Sequence, residues 1–134
     1  IDGNIVVLDS IRSSKIEKDQ RKKIIHIAKS LLHLSEKYKP EKLIIEAGFF
    51  RFRKVTKALD KLLGVTEYIF NDVPIIEIAP TTIRKILLAN GKANKDMVKE
   101  YIQQKYSDLL MENTDVSDSV AVGLAYFIRE GIIV

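Results

Sequence analysis

The sequence predicts a single α/β domain, residues 1–134, built around a parallel sheet. Short runs of apolar, often β-branched residues alternate with longer segments whose apolar residues recur every three or four positions. The first pattern is typical of strands and the second of amphipathic helices. Because the order is strand, helix, strand, helix, strand and then further helices, the strands are joined by helical crossovers, which indicates parallel pairing.

The first half of the chain contains two predicted strands and two predicted helices. Residues 4–11 form an apolar run between glycine and serine residues, which predicts the first strand. Apolar residues at helical spacing predict a helix over residues 18–38. Residues 42–46 predict a short buried strand, residues 47–53 an exposed loop, and residues 54–70 a second helix.

The second half of the chain contains one predicted strand and three predicted helices. Residues 74–79 predict the third strand, and a helix follows over residues 81–90, where an Asn-Gly pair ends it. Asn94 is predicted to cap a helix over residues 95–106. The last helix is predicted over residues 115–130.

Composition excludes several classes of protein. The chain has no cysteine, which removes disulfides, thiolate catalysis and cysteine-based zinc sites. Its longest apolar stretches are far shorter than the roughly 20 residues that a membrane helix needs, and no signal-peptide pattern is present. We therefore expect a cytoplasmic protein without membrane association, in a bacterial cell or, for a phage-encoded protein, in its host. The net charge of +4 permits nucleic-acid binding without establishing it.

Three acidic residues form the most informative pattern in the chain. Glu46 directly follows the apolar run of the second strand, at the end where ligands and reacting groups collect in open α/β sheets. Asp115 and Asp118 begin the last helix at a spacing that places both carboxylates on one face. Three hard oxygen donors suit Mg²⁺ or Mn²⁺ rather than zinc. The alternatives are capping and helix-dipole roles for the aspartates, and an exposed or cation-paired Glu46.

Four short segments of the chain together point to a known family. They are residues 43–50 (LIIEAGFF), 78–85 (IAPTTIRK), 90–95 (NGKANK) and 115–122 (DVSDSVAV). In this order and approximate spacing they resemble segments of the RuvC-type Holliday junction resolvases. Each motif alone is common, whereas four in register are hard to obtain by chance. The resemblance spans nearly the whole chain.

The resemblance implies a ribonuclease-H-like fold, a mixed sheet flanked by helices, with four catalytic acids. Glu46, Asp115 and Asp118 match the last three acids of the family. The family's first acid lies on an opening strand that has no counterpart in this sequence. We therefore expect the chain to be incomplete at its amino end, by roughly 12 to 20 residues at ordinary strand lengths. Asp2 is the weaker alternative for the first acid.

The resemblance also implies catalysis with divalent metal ions. Glu46, Asp115 and Asp118 would be the metal ligands. Mg²⁺ is the expected cofactor, with Mn²⁺ able to substitute, because the predicted ligands are all oxygens. Two divalent ions held by clustered carboxylates can activate a water and stabilise charge on the attacking and leaving oxygens of a phosphodiester. We expect no organic cofactor.

Aromatic and basic residues form the predicted DNA-binding surface. Phe49 matches the family's junction-stacking aromatic residue, in a loop whose other rings and cations could unstack bases and hold phosphates. Arg84 and Lys95 fall where the family places phosphate-binding lysines. The alternatives are solvated cations on helix faces, and a place in the core or at a dimer seam for Phe50 and Phe52. The predicted DNA-binding residues are Phe49, Arg51, Arg53, Lys54, Arg84, Lys85, Lys92 and Lys95.

The predicted helix at residues 54–70 has more apolar residues than one sheet-facing stripe requires. A second apolar face predicts a homodimer. A two-fold dimer would present two active sites to a four-way junction, which has approximate two-fold symmetry. The alternative is a single domain whose central helix is buried on several sides.

Together these inferences predict a metal-dependent, structure-selective DNA endonuclease. It would resolve Holliday junctions and other branched DNA by paired phosphodiester hydrolysis, and the Lys- and Ile-rich chain leaves room for a phage-type member. One alternative is another ribonuclease-H-like nuclease, acting on flaps or RNA. The other is a non-catalytic module that binds branched DNA, against which the clustered carboxylates count because they would repel phosphate.

Overall fold

The computed structural model describes residues 19–47, 56–108 and 114–132, together with Ile5, Ser10 and Ile11. Most of the predicted first strand and of the loop at residues 47–53 therefore lies outside the described residues. The elements are the helices α1 (Gln20–Tyr38), α2 (Thr56–Ile69), α3 (Pro80–Leu88), α4 (Lys95–Lys105) and α5 (Thr114–Arg129), and the strands β1 (Leu43–Glu46) and β2 (Ile75–Ile78).

The ends of the helices follow from local chemistry. Asp19 caps α1, because its side chain accepts a hydrogen bond of 2.8 Å from the backbone N–H of Arg21. Helix α3 begins at Pro80, one residue before the predicted start, since proline suits a first helical position where the missing N–H costs nothing. Helix α5 begins at Thr114, which puts Asp115 inside the first turn rather than at its start. No helix in the described parts is both long and apolar enough to cross a membrane.

Among the described residues, strands β1 and β2 pair in a two-stranded parallel sheet. The backbone N–H of Leu43 donates to the carbonyl of Pro74 at 2.9 Å, and that of Ala47 donates to the carbonyl of Ile78 at 2.8 Å. Moving four residues along one strand moves four along the other in the same direction, so the strands run parallel. The prediction of an α/β protein with a parallel pair is confirmed.

The chain divides into two compact units, and the first contains α3, α4, α5 and the carboxyl ends of both strands. Its core lies among the three helices, with α5 packed against both α3 and α4. Ile102 of α4 and Ala125 of α5 are completely buried, and Ile83 and Leu87 of α3 are nearly so. This packing fixes the first turns of α4 and α5, where the predicted charged residues lie.

The second unit contains α1 packed on α2. Large apolar side chains remain exposed there: 42% of Ile25, 47% of Leu32 and 79% of Tyr68. An open groove of about 850 Å³ runs between the two helices. Its lining residues are Asp19, Gln20, Arg21, Ile24, Ile25, Lys61, Gly64, Val65 and Tyr68.

Candidate active site

Glu46 is the last residue of β1, at the carboxyl end of the parallel pair. Its side chain is half-buried. The strand cannot turn away at once, because the next residue, Ala47, still donates its N–H to Ile78 of β2. The local structure therefore keeps the Glu46 carboxylate at the sheet edge, as the sequence predicts.

The carboxylate of Glu46 faces a small cavity of about 20 Å³ in the first unit. Four charged residues line it, each from a different element: Glu46 from β1, Arg84 from α3, Lys95 from α4 and Asp118 from α5. Apolar residues complete the walls; they are Pro80, Ile83, Val98 and Ala121. The cavity thus combines two acids and two bases on an apolar background.

Lys95 and Asp118 form an ion pair across this cavity. The Nζ atom of Lys95 lies 3.6 Å from Oδ2 of Asp118, with 50% of the lysine side chain and 20% of the aspartate side chain exposed. Lys95 is the first residue of α4. Its backbone position is fixed by Asn94, whose side chain accepts a hydrogen bond of 2.9 Å from the N–H of Met97.

The environment of Glu46 opposes its ionisation. Partial burial raises the pKa of the Glu46 carboxyl above its usual range, and the nearby charge of Asp118 raises it further. Lys95 and Arg84 act in the opposite direction without cancelling these effects. Two carboxylates held this close repel each other, so a cation between them would stabilise the charged pair.

The donor atoms fit a hard divalent cation. The cavity offers carboxylate oxygens from Glu46 and Asp118 and no histidine or cysteine. One or two carboxylates with several waters are the usual protein contribution to a Mg²⁺ site. Asp115 is exposed in the first turn of α5 and does not line the cavity. Across the described part of the chain, no group of three acidic or histidine side chains is assembled to hold a metal, so ligation by Asp115 stays a prediction.

Four of the eight predicted DNA-binding residues can be placed. Arg84 and Lys95 line the cavity, while Lys85 and Lys92 are exposed in α3 and in the turn after it. The Lys85 side chain lies over Gly91, where an added Cβ would stand 3.0 Å from the lysine Cε. The other four, Phe49, Arg51, Arg53 and Lys54, lie outside the described residues, as does Asp2.

The apolar walls of the cavity were not predicted from the sequence. Val98 follows Lys95 by three residues in α4, and Ala121 follows Asp118 by three in α5. Residues three apart share a helix face. Each of these helices therefore presents one charged and one apolar side chain to the cavity, and this spacing was the signal available in the sequence.

Comparison with other sequences agrees with the resemblance of the four segments to the RuvC-type resolvases. The family model described as "Crossover junction endodeoxyribonuclease RuvC" matches residues 3–126. A protein of that name from Bacteroides fragilis is 29% identical over 117 residues, which cover 81% of this chain and 61% of the relative. One from Carboxydothermus hydrogenoformans is 29% identical over 136 residues, covering 96% of this chain and 84% of the relative. This chain thus spans less than two thirds of the Bacteroides protein.

Solved structures share the fold. Thermus thermophilus RuvC superposes with a TM-score of 0.70 at 18% identity, over 86% of this chain and 73% of that one. The same protein in complex with a Holliday junction substrate gives a TM-score of 0.71 at 20% identity, with the same coverage. The ribonuclease-H-like fold is therefore confirmed. With a family match over residues 3–126 and a common fold, the chain belongs to the RuvC family of crossover junction endodeoxyribonucleases.

Proposed function

We propose that this chain is a divalent-metal-dependent endonuclease that cleaves Holliday junctions and other branched DNA. The observation that carries the proposal is the placement of Glu46 and Asp118 beside Arg84 and Lys95 around one cavity, in a chain of the RuvC family. Acids that can hold a metal, next to bases that can hold a phosphate, are what phosphodiester hydrolysis requires. The substrate follows from the relatives, which are named as crossover junction nucleases, and from the Thermus complex with a Holliday junction.

The proposed cofactor is Mg²⁺, with Mn²⁺ able to substitute. Glu46 and Asp118 would hold it, because among the described residues they are the carboxylates that line the cavity, and they come from separate elements. Asp115 would join them from the same helix, three residues before Asp118. When bound, the metal supplies an activated water and stabilises charge on the phosphodiester oxygens.

Each side chain has a defined task in this proposal. Glu46 and Asp118 would supply the negative charge that holds the metal, from two separate elements. The planar guanidinium of Arg84 can bind two phosphate oxygens at once, whereas the ammonium of Lys95 acts as a compact, mobile charge. Lys85 and Lys92 extend the positive surface beyond the cavity, where further phosphates of the DNA would pass. The apolar walls limit the entry of bulk water and strengthen these electrostatic interactions.

We further propose that the active species is a homodimer that makes paired cuts. The second unit exposes large apolar side chains that a dimer interface would bury; they are Ile25, Leu32 and Tyr68. Two sites related by two-fold symmetry would meet the two equivalent strands of a four-way junction.

The test is cleavage of a labelled four-way junction in Mg²⁺ or Mn²⁺, beside matched duplex, flap and RNA–DNA hybrid substrates. Paired symmetric nicks on the junction are expected. The Glu46→Gln variant is expected to lose at least about 100-fold in rate, as when a preorganised electrostatic group is removed. A Glu77→Gln variant provides the control, because Glu77 is exposed on the neighbouring strand.

Other results would redirect the proposal. Junction binding without metal-dependent cleavage would make the chain a binding module, and preferential cutting of the flap or the hybrid would assign it to another ribonuclease-H-like activity. If the Glu46→Gln and wild-type proteins cleaved at equal rates, the carboxylate of Glu46 would not be required for cleavage and the proposed metal site would be wrong.

A further inference from the structure

The ion pair between Lys95 and Asp118 lies where the proposed metal would bind. Its 3.6 Å separation is longer than a hydrogen bond, so the ammonium neutralises the carboxylate without being locked to it. Half of the Lys95 side chain is exposed. A four-carbon stem with this exposure lets the ammonium adopt more than one position.

The cavity needs a positive charge whether or not a metal is present. Glu46 and Asp118 are two acids on one small cavity, so their charges repel each other, and Lys95 and Arg84 are bases that line it with them. The ammonium of Lys95 approaches the carboxylate of Asp118 to 3.6 Å. Lys95 is therefore a counterion of Asp118 in the cavity.

A divalent cation on Asp118 would change this balance. Its oxygen ligands must lie at about 2.1 Å for Mg²⁺, which brings two positive charges close to the ammonium that already approaches the same carboxylate. The ammonium and the metal compete for one carboxylate, because like charges at this range repel. The lysine is the partner that can be displaced, since half of its flexible four-carbon side chain is exposed whereas the Asp118 side chain is only 20% exposed.

We propose that Lys95 is an internal counterion that the metal displaces, and that the displaced ammonium then binds a phosphate of the DNA. This inference rests on the proposed metal site and goes beyond it, because it assigns one side chain two alternating partners. Metal and DNA binding would then be coupled. By thermodynamic linkage, each ligand would raise the affinity for the other by the same factor.

The first test measures Mn²⁺ binding without DNA, by calorimetric titration of the whole chain at fixed ionic strength. The Lys95→Gln variant is expected to bind Mn²⁺ about three- to tenfold more tightly than the wild type, because a competing charge is gone. Lys95→Arg keeps the charge and should stay within about twofold of the wild type. Lys105→Gln is the matched control, since Lys105 is exposed at the far end of the same helix, about 15 Å along its axis.

The second test measures coupling to DNA. The probe is a four-way junction with non-cleavable linkages, bound in the presence and absence of Mn²⁺. Mn²⁺ is expected to raise the junction affinity of the wild type at least about threefold more than that of Lys95→Gln, because only the wild type releases a cation for the phosphate.

The outcomes separate this inference from the proposed function. If the wild type binds Mn²⁺ through Glu46, but Lys95→Gln binds it equally or more weakly, the counterion role is wrong and the metal site stands. Equal enhancement of junction binding in the two proteins would overturn the coupling. If the wild type binds no Mn²⁺ and Glu46→Gln behaves identically, the metal site and the counterion role both fail.

Discussion

At the scale of single residues, the position of Glu46 in the sequence restricts the environments that its carboxylate can have. A carboxylate directly after three apolar residues must be exposed, paired with a cation or bound to metal, because leaving it buried alone is too costly. The structure narrows these alternatives, since Glu46 is half-buried and lies near Asp118, Lys95 and Arg84. Full exposure is therefore excluded, and the carboxylate belongs to a mixed charge cluster.

The raised pKa of Glu46 leads to a stability prediction for the metal-free protein. Because the folded state binds the Glu46 proton more tightly than the unfolded state, the wild type gains stability at acidic pH and loses it as the pH rises through the folded-state pKa. Glu46→Gln removes this loss. At pH 7 in EDTA, we expect its Tm to exceed that of the wild type by about 1–3 °C, a small effect because water screens a partly exposed group.

The pH profile provides the check on this prediction. The difference in Tm between Glu46→Gln and wild type should shrink towards about pH 4, where the carboxyl is protonated in the folded protein. Thermal unfolding followed by circular dichroism at several pH values measures it. Glu77→Gln, on the exposed face of β2, should show no such pH-dependent difference. A lower Tm for Glu46→Gln across the whole range would contradict the prediction.

At the scale of elements, α4 connects the core of the first unit to the cavity. Its buried face carries Val98 and Ile102, which pack toward the other helices, while its first residue is Lys95. The packing sets the direction of the helix and the cap sets where it begins. Together they determine where the ammonium of Lys95 can reach.

Removing the α4 cap should lower stability. In Asn94→Ala the backbone N–H of Met97 loses its partner, which is expected to lower the free energy of unfolding by about 1 kcal/mol and the Tm by about 3–5 °C. Asn94→Ser keeps an oxygen acceptor and should retain most of the stability. Urea unfolding of the three proteins measures the difference. If Asn94→Ala and Asn94→Ser were equally stable, the cap would not contribute.

At the scale of the whole molecule, the open groove of the second unit bears on assembly. Tyr68 is 79% exposed and lines this groove, together with Ile25. Exposed aromatic residues are frequent anchors of protein interfaces. This surface is therefore where the proposed homodimer can be tested.

Tyr68→Asp is expected to weaken the proposed dimer at least tenfold, which corresponds to about 1.4 kcal/mol. The reason is that it places a charge where an aromatic ring would be buried. Sedimentation velocity over a range of concentrations measures the change. Tyr38→Asp is the matched control, because Tyr38 is also exposed in the second unit but does not line the groove. If Tyr68→Asp associated as strongly as the wild type, the dimer contact would lie elsewhere. If the wild type were monomeric, the proposed homodimer would be wrong.

The sequence by itself determined the order of the described elements and their limits to within two residues. Periodicity and capping are local properties, so Asn94 identified the start of α4, and the apolar run before Glu46 identified a strand. The family segments predicted Asp118 and Arg84 as site residues before any contact was known, and both line the cavity with Glu46. The start of α5 was misjudged by one residue, because the residue before Thr114 gives no stronger capping signal than Asp115 itself.

Tertiary structure alone decided which side chains meet. Lys95 and Asp118 are far apart in sequence, and no local pattern indicates their ion pair or the half-buried state of Glu46. Both result from the packing of α4 on α5 and from the parallel pairing of β1 with β2, which are non-local contacts. Local chemistry thus specifies the elements and the residues they carry, whereas the charge balance of the cavity depends on distances that exist only after the helices have packed.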